Sequence, residues 1–365
     1  MNYSLTRIEL RGTPQEMGTQ HGQLLRRQIR DFVPMRLEAT REYLHALGHA
    51  DLSPLFDLGR QCMHVHKQWD LPGFVEHSAI AEAAGVDPVR LYTAANMTDV
   101  RDILASQEQG DISPADAEGC STILLPGPWT RSGQVRVGQT WDLNPQDIDF
   151  VVAIRRVPHG APQTWSLTCS GCLSLVGLNS DGLAVGTTNI KTRRSRPGVG
   201  YMGILHRMLR CRTFAQAAQV VEQAPRAAAH TYWLADAQQV ADWECTAWQC
   251  DRRDSQEKPL FRTNHCLLPA HKAAEFEPAS PSSQARLQRL SHLLATPGLD
   301  VPEIKEIFAD RADGVDSLNR RAEDDQGTAT NSVVVAEPAE CKLWACRGPA
   351  DRGVWQCLDF VDKTP

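Results

Sequence analysis

Glu118-Gly119-Cys120-Ser121-Thr122-Ile123-Leu124-Leu125-Pro126, residues 118–126, is where the chain changes its periodicity. Downstream come short β-branched runs separated by turn residues: STILLP (121–126), QVRVGQTW (134–141), FVVAIRRV (150–157), TWSLTCSG (164–171), LSLVGLN (173–179) and GLAVGTTN (182–189). Such runs read as strands, with Asn179-Ser180-Asp181-Gly182 as a hairpin connection. Upstream, the first part reads as helical. Thr13-Pro14-Gln15-Glu16 has the pattern of a capping box, and Met17, Leu24, Leu25, Phe32 and Val33 recur at helical spacing. Ser53-Pro54 and Asp87-Pro88 predict two further helix starts. Between the two regimes, residues 110–119 have the acidic, breaker-containing composition of an exposed loop.

Beyond residue 189 the pattern alternates. Helices are predicted over YMGILHRMLRC (201–211) and over TFAQAAQVVEQA, capped by Thr213. Strands follow at TYWLAD (231–236), VADWEC (240–245) and FRTNHCLL (261–268). Two helices, SQARLQRLSHLL (283–294) and VPEIKEIFAD (301–310), precede a last strand set at NSVVVAEP, KLWACRG and VWQCLDF. Strand runs interleaved with helix pairs suggest two packed sheets with helices on their outer faces. The expected organisation is a mainly helical segment, 1–119, and a strand-rich segment, 120–365, in one globular unit.

A chain of 365 residues with 42% hydrophobic and 22% charged residues can bury a large core. Its net charge of −6 argues against a nucleic-acid or anionic-membrane surface. No run approaches the roughly 18 apolar residues of a membrane span. MNYSLTRIELRGTPQEMG lacks an apolar signal region and Asp362-Lys363-Thr364-Pro365 matches no sorting address, so a cytoplasmic setting is expected. Among 11 cysteines, Cys169, Cys172, Cys341 and Cys346 read as small buried hydrophobes, and Cys169-Ser170-Gly171-Cys172 alone is a weak metal signal. No cofactor or metal is called for.

Cys120 is the candidate nucleophile. The preceding Gly119, without a Cβ, can adopt backbone angles that let the neighbouring thiol approach its carbonyl. Attack there would move the peptide to a thioester, and water would release an N-terminal cysteine. An α-amine with an ordinary pKa of about 8 stands close to a thiol at about 8.5, so it can take the thiol proton near neutral pH. One residue then supplies nucleophile and base.

Five short segments, in order, resemble the acyl-coenzyme A:isopenicillin N acyltransferase family, peptidase family C45 of self-processing cysteine N-terminal-nucleophile enzymes. They are Gly12 to Gly18 with His21-Gly22, Glu118 to Thr122, Gly138-Gln139-Thr140-Trp141-Asp142, Gly177 to Val185, and Thr263-Asn264-His265-Cys266-Leu267. The resemblance implies an α+β, four-layer αββα sandwich and self-cleavage between Gly119 and Cys120 into two chains that stay together. It implies Cys120 as nucleophile and base, Asp142 holding the amine or polarising the scissile region, and Asn264 donating to the oxyanion. Asn189 is a second oxyanion or substrate contact by likeness to bile-salt-hydrolase-type enzymes. The substrate would be a small acyl amide or acyl thioester, and a homo-oligomer is compatible with the reading.

Several alternatives stand beside these roles. Asp142 also reads as a turn acceptor and Asn264 as a partner for loop backbone. His265 permits an unprocessed Cys120/His265 thiol hydrolase, and a catalytically silent binding protein on the same fold is a third reading. Lys191, Arg193, Arg194 and Arg196 form a basic loop that would grip an anionic substrate group or simply be solvated. Trp141, Trp165, Tyr232 and Trp233 would wall an acyl pocket or, the reading preferred, simply be core. Gln326 stands near the place where the family has an arginine, with Arg320 and Arg321 upstream, a departure expected to bear on substrate choice.

Overall fold

The computed structural model describes residues 3–46, 48–107 and 119–360. It opens with a strand, β1 (Thr6–Gly12), followed by α1 (Pro14–Leu24), α2 (Arg26–Glu38), α3 (Arg41–Ala46), α4 (Ser53–Trp69), α5 (Leu71–Ala84), α6 (Pro88–Ala95) and α7 (Met97–Gln107). Strands β2 (Ser121–Leu125), β3 (Arg136–Leu143), β4 (Val151–Pro158), β5 (Thr164–Cys169), β6 (Val176–Asn179) and β7 (Ala184–Asn189) come next. Helices α8 (Tyr201–Leu209) and α9 (Phe214–Gln223) lead to β8 (His230–Ala235), β9 (Val240–Cys245), β10 (Cys250–Ser255) and β11 (Leu260–Arg262). The chain ends with α10 (Pro269–Lys272), α11 (Pro281–Leu293), α12 (Val301–Phe308), β12 (Ala329–Glu337), β13 (Lys342–Arg347) and β14 (Gln356–Leu358).

Among the described residues the strands form two sheets. One runs β1-β4-β5-β6-β7-β8-β9-β10 and the other β11-β2-β3-β12-β13-β14. Side chains of the second sheet alternate between two cores, as the two-residue period of a strand requires. Leu124, Val334 and Ala336 join the large core with the first sheet and helices α1, α2 and α8. Ile123, Leu125, Val333 and Val335 face the opposite way, onto Leu290 of α11 and Ile304 and Phe308 of α12. Each such fully buried side chain contributes about 1.5–3 kcal/mol. Gln139 ties the two sheets, its Oε1 accepting from the Thr187 N–H at 3.1 Å and from Trp233 Nε1 at 2.6 Å. Helices outside, sheets inside: the order is αββα.

Local sequence explains most elements. Thr13 and Glu16 make the capping box of α1, and Asp87 and Thr213 cap α6 and α9. Glycines in α1 let it lie against α5: a Cβ at Gly18 would come within 2.4 Å of the Glu76 carbonyl, and at Gly22 within 2.5 Å of that of Ile80. His21, between them, accepts the Gly171 N–H at 3.0 Å, and burial depresses its pKa to about 3, which keeps it neutral for that task.

Two elements correct the sequence reading. The first part is not helical throughout: Thr6–Gly12 pairs in parallel with Val152–Pro158 at the sheet edge. Only Ile8 and Leu10 mark it, too few apolar positions to display a period. Cys250–Ser255, which is CDRRDS, is an edge strand paired with β9, and charged edge strands lack the alternation that identifies buried ones. FRTNHCLL is strand only to Arg262, after which it is loop. The reading of 110–118 as a loop lies outside the described residues.

Candidate active site

Gly119 and Cys120 lie buried at the entrance to β2. The peptide between them is fixed from both sides. The Gly119 N–H donates to the Asp142 carbonyl at 3.3 Å, and the Cys120 carbonyl accepts from Arg286 Nη1 at 2.6 Å. One residue on, the Ser121 N–H donates to Thr140 Oγ1 at 3.0 Å and Ser121 Oγ accepts from Arg286 Nη1 at 3.0 Å. Glu118 lies outside the described residues.

Asp142 is at the end of β3, paired with Thr330 of β12, where the register slips between Thr330 and Ser332. Bulges of this kind re-aim side chains and concentrate near functional sites. Its carboxylate is fully buried, and desolvation raises its pKa to about 6 against the pull of Arg320, Arg286, Thr330 and Thr140. Arg286 is buried as well, and its desolvation, with Arg320 beside it, lowers its pKa to about 10. Two guanidinium groups and one carboxylate thus share a low-dielectric space next to the Gly119–Cys120 peptide.

Arg286 also donates through Nη2 to Asn264 Oδ1 at 3.0 Å, and Asn264 Nδ2 donates to the Asn189 carbonyl at 3.0 Å. Asn264 sits just past β11, in a loop held at its base by Glu244, which pairs with Arg262 and accepts the Leu268 N–H at 2.8 Å. The Asn264 N–H itself donates to Ser283 Oγ at 2.9 Å. Asn189 ends β7, and both of its side-chain polar atoms are buried without a hydrogen-bond partner. Unpaired buried amides are rare because each costs about 1–3 kcal/mol.

Two cavities meet here. One is lined by Cys120, Trp141, Asp142, Asn189, Tyr201 and His230, among others. A second is polar and includes Asn189, Asn264, Lys191, His265, Glu275 and Glu277 in its wall. Asn189 belongs to both. Cys120, Asp142, Asn189 and Asn264, picked out from sequence, therefore come together at one end of the sandwich.

Other expected residues fall elsewhere. Arg193, Arg194 and Arg196 do not line the Cys120 cavity. Arg193 and Arg194 are exposed, and Arg196 donates to the Ala247 carbonyl at 3.0 Å with its guanidinium 3.7 Å from the Trp248 ring centre. His265 lines the polar cavity, its Nδ1 2.8 Å from Ser283 Oγ, and burial lowers its pKa. Trp141 is in the core, as read, and also forms part of the wall around Cys120. Gln326 is exposed and donates to the Asp324 carbonyl. The arginine that does reach the site is Arg320, upstream of Gln326. Its backbone pairs with Thr330, its Nη2 meets Ser282 Oγ, and a Cβ on Gly119 would stand 2.9 Å from its Nη1.

Arg286 was missed. A signal existed: Ser283, Arg286 and Leu290 share the buried face of α11, so a charge sits in the stripe that packs inward. Charges on helices are usually read as solvated, which hid it.

Comparisons with known proteins bear on the family of the chain rather than on individual site residues. Residues 129–351 match the family described as acyl-coenzyme A:6-aminopenicillanic acid acyl-transferase, a span that includes Asp142, Asn189, Asn264 and Arg286 and begins after Cys120. The acyl-coenzyme A:6-aminopenicillanic-acid-acyltransferase 40 kDa form of Emericella nidulans is 25% identical over 305 residues, covering 83% of this chain and 80% of that protein. Among solved structures, a mutant conjugated bile acid hydrolase from Clostridium perfringens aligns with TM-score 0.47 and 11% identity, over 66% of this chain and 92% of its own. A Caenorhabditis elegans N-acylethanolamine-hydrolyzing acid amidase ortholog aligns with TM-score 0.44 and 13% identity, over 60% and 93%. With the match spanning more than half of its residues, this chain belongs to the acyl-coenzyme A:6-aminopenicillanic acid acyltransferase family.

Proposed function

We propose that this protein is a self-processing cysteine amidohydrolase or acyltransferase that cleaves its own Gly119–Cys120 bond and then carries acyl groups on Cys120. The observation that carries the reading is the double restraint on that peptide, Gly119 N–H to the Asp142 carbonyl and Cys120 carbonyl to Arg286. The Asp142 carbonyl continues the β2–β3 ladder, as at any strand entrance, but a strand entrance needs no buried arginine on its other side, whereas a bond to be broken needs both its flanks held still.

In processing, Cys120 Sγ attacks the Gly119 carbonyl carbon and the peptide nitrogen leaves as the Cys120 amine, giving a thioester. Arg320, beside Gly119, stabilises the negative charge on the carbonyl oxygen as it develops. Water then hydrolyses the thioester, leaving a Gly119 carboxylate and a free thiol. The two pieces, 1–119 and 120–365, remain packed together through β1 in the first sheet and the shared core. The ionised Asp142 holds the new α-ammonium group.

In turnover, the α-amine takes the thiol proton while Sγ attacks the substrate carbonyl. The side-chain N–H groups of Asn189 and Asn264 receive the oxyanion. Collapse expels the amine product, which takes its proton from the α-ammonium, and leaves acyl-Cys120. Water, deprotonated by the same amine, releases the acid; an acceptor amine in its place gives transfer. Hydrolysis is the default, because water is always present. The Cys120 cavity takes the acyl group and the polar cavity, with Lys191, Glu275 and Glu277, takes the amine portion.

Screening N-acyl amino acids, β-lactams and acyl thioesters against wild type and Cys120→Ala tests this. Turnover with an acyl-Cys120 adduct in wild type, and neither cleavage nor turnover in the variant, is expected. A Cys120→Ala protein that matures and consumes the same donors would refute it.

A further inference from the structure

The wall of the Cys120 cavity carries polar groups that the cleavage chemistry leaves unused. His230, the first residue of β8, is paired directly with Asn189 of β7, so both side chains leave the sheet on the same side. There His230 Nε2 lies 2.8 Å from Asp99 Oδ1 of α7, and its ring stacks on Tyr201 of α8 with centroids 4.6 Å apart. The second Asp99 oxygen accepts the Tyr201 N–H at 2.8 Å. The imidazole is thus locked from one edge and one face. With Nε2–H given to Asp99, Nδ1 remains as an acceptor. That atom is buried and has no hydrogen-bond partner. Neither does the buried hydroxyl of Thr98, the neighbour of Asp99, which lines the same cavity.

An acceptor and a hydroxyl, both buried and both unpartnered, stand among the apolar walls of Trp141, Leu143 and Leu175. A plain hydrocarbon acyl chain entering there would leave both polar groups unsatisfied. Native interiors rarely tolerate this. A group that can donate and accept at once would satisfy both.

We propose that the preferred acyl group carries a hydroxyl along its chain, which donates to His230 Nδ1 and accepts from Thr98 Oγ1–H. His230 and Thr98 are then specificity-determining residues, with Asp99 as the positioning residue that fixes the imidazole. The inference rests on the acyl-Cys120 reading and names the substrate class it serves.

The test uses the full-length processed protein and a panel of fluorogenic N-acyl aminocoumarin amides, one unsubstituted and the others with a hydroxyl at each successive carbon of the same chain. At least one hydroxylated member is expected to exceed the unsubstituted parent in kcat/KM by about tenfold or more, since sites built to bond a hydroxyl reject its absence strongly. Thr98→Val and His230→Gln should each bring that ratio toward one. The ratio is measured within one protein, so partial loss of folded enzyme cancels. Should His230→Gln not fold, Thr98→Val decides alone, because the Thr98 hydroxyl holds no bond that the fold relies on. A parent amide preferred across the whole panel, or a hydroxyl preference that survives both substitutions, would overturn the inference and leave the acyl-Cys120 chemistry standing. No turnover of any member by a chain that also stays uncut would sink both.

Discussion

Arg286 Nη1 lies 2.6 Å from the carbonyl oxygen of Cys120, inside the protein and on a helix 166 residues further along the chain. A buried guanidinium costs desolvation that its contacts must offset, and here these are the Cys120 carbonyl, Ser121 Oγ and Asn264 Oδ1. Replacing it with glutamine keeps polarity but removes the fork. Arg286→Gln is expected to slow processing by about a hundredfold or more, in line with the cost of misplacing a reacting group. A time course of intact mass on freshly purified protein measures this. Processing at the wild-type rate would contradict the assignment.

Asp142 gives a pH signature. Its pKa is raised to about 6 by burial, so the group holds its proton more tightly folded than unfolded. Stability attached to it is therefore full below about pH 4 and is lost as pH rises through about 6. Asp142→Asn, uncharged throughout, escapes that loss. The stability of the uncut variant relative to an uncut wild-type control should improve by roughly 3 kcal/mol between pH 4 and 8. Denaturant titrations of both proteins in a Cys120→Ala background, at several pH values, give the number. Processing runs the other way: if the carboxylate is the working form, its rate climbs through about pH 6 in wild type, and the variant loses that limb.

Asn264 tests the oxyanion assignment. Asn264→Ala should lower kcat of the processed enzyme by about 10²–10³ with a smaller change in KM, as expected of a donor that bonds more strongly in the transition state. Steady-state kinetics on an amide substrate decide it. A KM effect with kcat intact would make Asn264 a binding residue instead.

Gly119 and Arg320 form a second pair worth perturbing. A Cβ on Gly119 would approach Arg320 Nη1 to 2.9 Å, and Arg320 is already tethered to Ser282. Gly119→Ala is expected to slow cleavage by about tenfold through displacement of that guanidinium. Mass spectrometry of a timed series reads it out. Unchanged cleavage would show that Arg320 does not act at this carbonyl.

What the sequence made legible followed period and local chemistry. Strands β2 to β8, buried and β-branched, could be read because alternation and turn residues agree, and the caps at Thr13, Asp87 and Thr213 are local events. Cys120, Asp142, Asn189 and Asn264 were picked out as candidates by resemblance to a family, residue by residue. Arg286 and Arg320 were not, since both act at a distance along the chain. Their effect at Cys120 exists only once α11 and the loop before β12 have folded onto β2 and β3. Edge strands β1 and β10 escaped for a related reason: half-exposed strands need few apolar residues, so their sequences carry little pattern. The His230–Asp99 pair joins β8 to a helix 131 residues earlier, and no local string announces it.

The most direct test of the central claim is the intact mass of an active preparation, with N-terminal sequencing of its pieces. Two polypeptides are predicted, the second beginning at Cys120 with a free α-amine, and their appearance should parallel the gain of amidase activity. A preparation that turns over acyl amides while its chain runs unbroken from Gly119 into Cys120 would contradict the account.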